Sequence, residues 1–421
     1  AIGGVVQLVS RVPRFDTDEL GTTGTARVAL DTAEQLRKFG ATFDVGNRDL
    51  AASASVDRVE TGERRVGGGE KISFSGYTSN AVRLFVGATP ESGASWSLDV
   101  HYLEQPETPR VDELVPGFGQ TEPSSSEFLF KPNRRAFVHG RARVPGGPWN
   151  MDWSLDAAWQ RIDDDRVTRD FNAPTRTHEA NRSDLLGLSV SASRVTDNGS
   201  WVAGAEVYYD EVSSARFAED VATGILNATS PRFPDGADVT QGSAYANANW
   251  AIGARHSLSA GARLSSIETS LPAAVVGTPS SVTNDDISGD IGWLTDLGSG
   301  WQFVANLGYG FRAPNVFDLG TLGNRPGNRF NVPNPDLASE RVVHGDIGVR
   351  LRRGNVDASV VAFAMRYRDR ITSVLTGDTT PDGRDIVRSA NVSRADLHGL
   401  EASGRVELGD AWELSGNVSY T

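Results

Sequence analysis

Apolar and polar residues alternate along residues 301–312, and few folds accept a segment of this kind. Trp301 and Leu307 fall on one face of the predicted strand, and Gln302 falls on the other. Because the side chains of a strand point alternately to its two faces, the segment is apolar on one side only. Residues 341–352 repeat the pattern on the return path, which predicts an antiparallel neighbour.

The same alternation extends over most of the chain, in about seventeen segments of ten residues or more. Such segments are typical of membrane-spanning β-barrels, whose strands meet lipid on one face and water on the other. We therefore predict an all-β fold, a transmembrane antiparallel β-barrel. The predicted strands are 23–32, 37–46, 48–60, 76–90, 95–105, 134–145, 150–162, 182–196, 200–212, 240–252, 256–270, 285–297, 301–312, 341–352, 356–373, 386–408 and 411–421.

The connections between these segments alternate in length. The short ones carry tight-turn residues and lie at 46–48, 145–148, 196–199, 252–255, 297–300, 353–355 and 408–410. The long ones are polar and lie at 61–75, 106–133, 163–181, 213–239, 271–284, 313–340 and 374–385. The pattern predicts short periplasmic turns at one end of the barrel and long extracellular loops at the other.

Tryptophan placement gives an independent indication of a membrane. Five tryptophans lie just after short connections or at the start of a strand: Trp96, Trp149, Trp201, Trp301 and Trp412. Indole side chains prefer the boundary between membrane and water. The five residues therefore predict an aromatic girdle at the periplasmic end.

Two short motifs flank the long loop that follows residue 312. One reads GYGFRAPNVFDL from Gly308, and the other reads NPDLASE from Asn334. In this order they resemble the paired boxes of TonB-dependent outer-membrane receptors. The opening, AIGGVVQLVSRVP, resembles the end of the plug domain of that family, with Gln7 where Asn is more frequent. The residues that carry the resemblance are Gly3, Gly4, Phe311, Arg312, Ala313, Pro314, Asn334, Pro335, Leu337 and Glu340.

The resemblance implies a barrel of the 22-stranded type around a plugged lumen, of which about seventeen strands are present. Residues 1–13 would then be the C-terminal end of the plug domain. Residues 14–421 would be the β-barrel, with its C-terminal strands missing. The box residues are expected to fix where strands end and restart rather than to touch ligand.

Composition excludes several other classes of protein. No apolar run approaches the roughly 18 residues that a membrane-spanning helix needs. The chain has no cysteine, which removes disulfides, thiolate metal sites and cysteine nucleophiles. A net charge of −13 argues against nucleic acid as a partner. No cofactor is predicted.

Arginines near the boxes form the candidate ligand-binding site. Arg325 and Arg329 lie within the loop between the boxes, and Arg312 lies at its start. Guanidinium groups exposed to the outside would hold an anionic metal chelate by charge-assisted hydrogen bonds. The alternative is a loop that these charges merely keep soluble.

Two further polar clusters are candidates for chemical sites. The carboxylates of residues 163–165 leave calcium open, although arginines on both sides favour a self-neutralised strand tip. His344 and Asp346 share a strand face, but the six histidines are otherwise scattered. No catalytic constellation is predicted, so the chain is not expected to be an enzyme.

The predicted protein is a receptor in the outer membrane of a Gram-negative bacterium that imports a ferric siderophore. Its expected partners are outer-membrane lipid, the TonB energy-coupling complex and a small-molecule metal chelate. Cobalamin, haem and oligosaccharide stay open as ligands. Haem is disfavoured because no histidine lies between Pro314 and Asn334, where haem receptors of this family usually place an axial ligand. The alternative of another class is a passive porin or adhesin barrel, which has no plug strand before its first strand.

Overall fold

The computed structural model describes residues 10–90, 93–325, 328–392, 394–409 and 411–421, and its regular structure is almost entirely β. The strands are β1 (Gly21–Leu30), β2 (Arg37–Gly46), β3 (Leu50–Glu60), β4 (Thr78–Ala88), β5 (Ser95–Gln105), β6 (Thr108–Pro109), β7 (Ser125–Gly147), β8 (Met151–Asp170), β9 (Thr175–Thr196), β10 (Gly199–Asp220), β11 (Leu226–Thr229), β12 (Ala237–Ile252), β13 (His256–Leu271), β14 (Ser280–Gly298), β15 (Trp301–Arg312), β16 (Gly323–Arg325), β17 (Arg329–Asn331), β18 (Glu340–Arg353), β19 (Val356–Arg368), β20 (Arg370–Thr379), β21 (Asp385–Val392), β22 (Ala395–Leu408) and β23 (Trp412–Tyr420). The helical segments are α1 (Val111–Leu114), α2 (Ala273–Val276), α3 (Val316–Gly320) and a 3₁₀ turn at Pro148–Asn150. Across the described ranges, none of these helices has the length and apolar character needed to cross a membrane.

Nineteen of the strands belong to one large sheet. β6 and β11 are short and pair with β7 and β10. The other seventeen form an up-and-down meander, in which each long strand pairs antiparallel with the next. The predicted all-β antiparallel architecture is therefore confirmed.

Hydrophobic side chains on one face of the meander are exposed rather than packed in a core. Leu264, Leu307 and Ile347 keep 61%, 55% and 57% of their surface accessible. Among the described residues, only ten hydrophobic side chains are buried. A soluble sheet would cover this face with a second layer, whereas a face that meets lipid needs no cover. We call it the outer face.

The opposite face, called the inner face below, is polar and carries paired charges. Arg83 donates two hydrogen bonds to Asp99, at 2.8 and 2.7 Å, and Asn306 donates to Asp346 at 2.8 Å. Arg83 also donates to the backbone oxygen of Arg11 at 2.8 Å. The segment that precedes β1 therefore lies against the inner face.

The tryptophans of the predicted girdle lie at the end of the sheet that has tight turns. Trp149 and Trp412 are 74% and 75% exposed, and Trp96 and Trp301 are exposed as well. Trp201 is half-buried. Exposed indoles in a row at one end of a barrel mark the level of the membrane boundary.

Four central strands are much longer than a membrane requires. A transmembrane strand needs about 9–11 residues, whereas β7, β8, β9 and β10 have 23, 20, 22 and 22. They continue as a sheet beyond the membrane at the loop end. The stretches 163–181 and 213–239 were predicted as long loops, and this is wrong because most of their residues are strand. The predicted loop 106–133 is likewise strand from Ser125 onward.

A second, four-stranded sheet lies above the large one. It consists of β16, β17, β21 and β20, with β17 and β21 parallel. The sequence pattern predicted single strands over 356–373 and 386–408, with a loop at 374–385 between them. The structure shows that all three predictions are wrong. Asp369, at a φ of 55°, interrupts the first strand, and each predicted strand divides between the two sheets. The predicted loop forms much of the β20–β21 hairpin.

Candidate functional site

The connection between β15 and β18 covers residues 313–339, and its described residues fold back onto the large sheet instead of forming a free loop. Pro314 is buried where β15 has ended. Leu319 of α3 is fully buried in a cluster with Leu271 and Ala237, at the loop ends of β13 and β12. Full burial of a leucine side chain contributes about 2 kcal/mol. The cluster therefore anchors the segment to the wall of the sheet.

An ion pair joins the two sequence boxes. Arg312 and Glu340 stand opposite each other in the register of β15 and β18. Arg312 donates to both carboxylate oxygens of Glu340, at 3.1 and 3.0 Å, and to Asp318 of α3 at 2.8 Å. One Glu340 oxygen also accepts the amide of Ile371 at 2.7 Å. The ion pair therefore holds the end of β15, the start of β18, α3 and the start of β20 together.

The second box is bonded to the small sheet. Asn334 donates through its side chain to the backbone oxygen of Ser389 at 2.8 Å, and its amide donates to the oxygen of Leu319 at 2.8 Å. The backbone of Ala338 exchanges two hydrogen bonds with the side chain of Asn391, both at 2.9 Å. The boxes and the small sheet therefore form one connected structure at the loop end of the barrel.

The N-terminal cap of α3 provides a first test of this structure. Asn315 accepts the amide of Asp318 at 2.8 Å, and Asp318 accepts the amide of Asn315 at 3.1 Å. We expect Asn315→Ala to lower the local stability of α3 by about 1 kcal/mol, because a donor of the first turn loses its acceptor. The measurement is amide hydrogen exchange at Leu319, which should become roughly fivefold faster. Asn324→Ala, at an exposed position nearby, is the control, and equal exchange in both variants would contradict the role of the cap.

The predicted ligand arginines of the loop have different environments. Arg329 is exposed, whereas Arg325 is half-buried. Arg325 donates to the backbone oxygens of Asn324 at 3.0 Å and of Arg232 at 3.2 Å. Burial, together with the charges of Arg216 and Arg232, lowers the pKa of Arg325 to about 10. With this pKa the guanidinium group stays protonated at neutral pH and can pair with an anion. Ligand binding by Arg325 stays a prediction.

Two arginines near Arg325, Arg216 and Arg232, were not predicted as site residues from the sequence. Arg216 donates to the backbone oxygen of Asn324 at 3.4 Å, although 108 positions separate the two residues. Neither arginine lies in a recognisable motif. Only the folding of 313–339 onto the wall brings them to Arg325, and no local sequence signal marks that contact.

The other motif residues lie at the ends of strands or outside the described residues. Gly3 and Gly4 are outside them. The rest comprise half-buried Phe311, Ala313 and Pro335 and buried Leu337.

The carboxylates of residues 163–165 are occupied by contacts within the protein. Asp163 accepts from Arg182 at 2.8 Å, and Asp164 pairs with Arg166. In the ranges that the structure describes, no group of three or more His, Asp or Glu side chains is placed to hold a metal ion. The calcium alternative therefore gains no support.

A sheet with a bare apolar side and a polar side of paired charges is the wall of a β-barrel that spans an outer membrane. A family model described as "TonB dependent receptor-like, beta-barrel" matches residues 77–421. The chain therefore belongs to the TonB-dependent receptor family, and it lies in the outer membrane of a Gram-negative bacterium. The family and its structural neighbours are receptors and transporters rather than enzymes.

Individual relatives resemble the chain over part of their length. The ferric enterobactin receptor PirA of Pseudomonas aeruginosa is 28% identical over 137 residues, which are 30% of this chain and 18% of the relative. The solved copper transporter OprC superposes with a TM-score of 0.79 at 16% identity, covering 97% of this chain and 61% of OprC. The ferric yersiniabactin uptake receptor FyuA of Yersinia pestis gives 0.68 at 13% identity, covering 97% and 62%. The chain thus spans about three fifths of the length of these solved structures.

Proposed function

We propose that the protein is an active importer of a ferric siderophore, energised through TonB. The similarity to a ferric enterobactin receptor over 137 residues is the observation that carries the proposal. The structural likeness to FyuA shows the fold alone, but that protein is also named as an uptake receptor for a ferric compound, ferric yersiniabactin. The described residues of 313–339 and the small sheet together form what we call the mouth, and its polar side chains, among them Arg325 and Arg329, offer a surface for recognition of a soluble chelate.

The proposal includes a plug. We assign residues 1–13 to the end of a plug domain and residues 14–421 to the barrel. Support comes from Arg11, whose guanidinium contacts the buried Asp44 on the inner face at 2.7 Å. The porin alternative would have no plug strand before its first strand.

Growth on single iron sources tests the function. We expect deletion of the gene to abolish growth on one ferric siderophore while growth on inorganic iron continues. Deletion of tonB in the parent should abolish uptake of that siderophore to the same extent. Unimpaired growth on all ferric siderophores, with loss of haem, cobalamin or copper uptake, would show that the substrate class is wrong. Uptake that persists without TonB would favour the porin alternative.

A further inference from the structure

A row of charged residues crosses the inner face of the sheet where it extends beyond the membrane. Arg166 on β8, Glu179 on β9 and Arg216 on β10 are direct cross-strand neighbours. Arg216 lies 3.4 Å from the buried carboxylate of Glu179, and Arg166 pairs with Asp164. Two guanidinium groups and two carboxylates therefore balance one another within the wall.

Two more arginines approach this row from the loops above it. Arg232 comes from the connection between β11 and β12, and Arg325 comes from β16. Arg325 donates to the backbone oxygen of Arg232 at 3.2 Å, and Arg216 donates to that of Asn324 at 3.4 Å. The four arginines are thus gathered around the upper end of β10.

The four arginines outnumber the two carboxylates of the row, Glu179 and Asp164, and the excess positive charge lies on Arg232 and Arg325. Within the described residues, neither side chain forms a salt bridge, and the Nε of each is buried without a hydrogen-bond partner. Burial lowers the pKa of Arg232 and the charge of Arg166 lowers it further, while the charges of Glu179 and Asp164 offset part of this effect. A partly buried guanidinium group without a directly paired carboxylate keeps a desolvation cost, which a bound anion would offset.

We propose that Arg232 and Arg325, with Arg216 behind them, bind the anionic oxygen atoms of the imported chelate. This inference rests on the proposed function, and it narrows the substrate class to ferric chelates that carry net negative charge on carboxylate or catecholate groups. Both side chains are half-buried, so each keeps a surface that a ligand can reach. A planar guanidinium presents paired donors that match such oxygens, and its neighbours hold it in place before ligand binds.

The test compares an anionic with a neutral ferric chelate on the complete, purified receptor. A ferric tris-catecholate is anionic, whereas a ferric tris-hydroxamate is neutral, and each is titrated by quenching of tryptophan fluorescence. In the double variant Arg232→Gln/Arg325→Gln we expect affinity for the tris-catecholate to fall about 10- to 100-fold, since charge-assisted hydrogen bonds are lost. Affinity for the tris-hydroxamate should differ by less than about twofold between the wild type and the double variant. Arg388→Gln, an exposed arginine on β21 of the small sheet at the same end of the barrel, is the matched control and should change neither value.

A second measurement is independent of iron transport. Citrate without iron should raise the Tm of the wild-type receptor relative to chloride at equal ionic strength, and it should not raise that of the double variant. Arg232→Lys/Arg325→Lys, which keeps both charges, should retain part of the shift. If no ferric chelate binds the wild type, the proposed function fails, and a citrate shift lost in the double variant still supports the anion site. If the double variant binds the tris-catecholate as tightly as the wild type, or the wild type shows no citrate shift, the anion site is overturned.

Discussion

Replacing Ile347 with arginine is expected to lower the stability of the barrel by about 2–4 kcal/mol. Ile347 lies near the middle of β18 on the outer face, is 57% exposed and stands opposite Ala305. In lipid, the new guanidinium would lie in hydrocarbon, where an unpaired charge loses its hydration. On a soluble sheet, a charge at so exposed a position would change stability by less than about 0.5 kcal/mol. The measurement is the free energy of unfolding in urea after refolding into lipid vesicles.

The matched control for this prediction places the same charge on the inner face. Asn306 lies on neighbouring β15 and donates to Asp346 at 2.8 Å. Asn306→Arg would set a guanidinium beside that carboxylate in an aqueous lumen, so we expect a change below about 1 kcal/mol. Equal losses in the two variants, or no loss in either, would refute the assignment of the outer face to lipid.

The two faces were predictable because lipid and water impose opposite demands on successive residues of each strand. Leu307 and Asn306 are adjacent in sequence and point to opposite faces, as expected of a strand that meets lipid on one side and water on the other. The antiparallel order was predictable for a related reason, since connections such as Gly253 and Gly354 have positive φ, at 63° and 56°. Tight turns of this kind leave the next strand no other neighbour.

The extension of the sheet beyond the membrane was not predictable from alternation. There, both faces of β9 and β10 meet water, so the period of two disappears from the sequence. Hydrogen bonds between charged groups replace it: Arg176 of β9 donates to Glu127 at 2.6 and 2.7 Å, and His178 pairs with Glu219 at 2.6 Å. Such pairs depend on register, which composition does not reveal.

The candidate site was predictable only in part. The two boxes predicted where β15 ends and β18 begins, and the structure explains them through the pairing of Arg312 with Glu340. The environment of Arg325 was not predictable, because it depends on Arg216, which lies more than a hundred positions away in sequence. Contacts between a loop and a distant strand follow from tertiary packing, and a local pattern carries no record of them.

Removal of the Glu340 carboxylate is expected to lower the local stability of the mouth. The Glu340→Ala change leaves Arg312 with Asp318 alone and leaves the amide of Ile371 without its acceptor. Loss of one partner from a buried ion pair costs several kcal/mol, but Arg312 is 37% exposed and water offsets part of this loss. We expect the segment 313–339 to lose about 2–3 kcal/mol of local stability. Amide exchange at Leu319 should then become roughly 30- to 150-fold faster.

The comparison that isolates the ion pair uses the isosteric change Glu340→Gln. The amide keeps an oxygen that accepts from Ile371, but it loses the charge and one of the two acceptors for Arg312. Its effect on exchange at Leu319 should therefore be smaller than that of Glu340→Ala and still larger than that of Glu401→Ala, an exposed carboxylate on β22. Exchange at Leu319 in both Glu340 variants at the rate of Glu401→Ala would contradict the role of the ion pair. The apolar cluster around Leu319 would then be what anchors the segment.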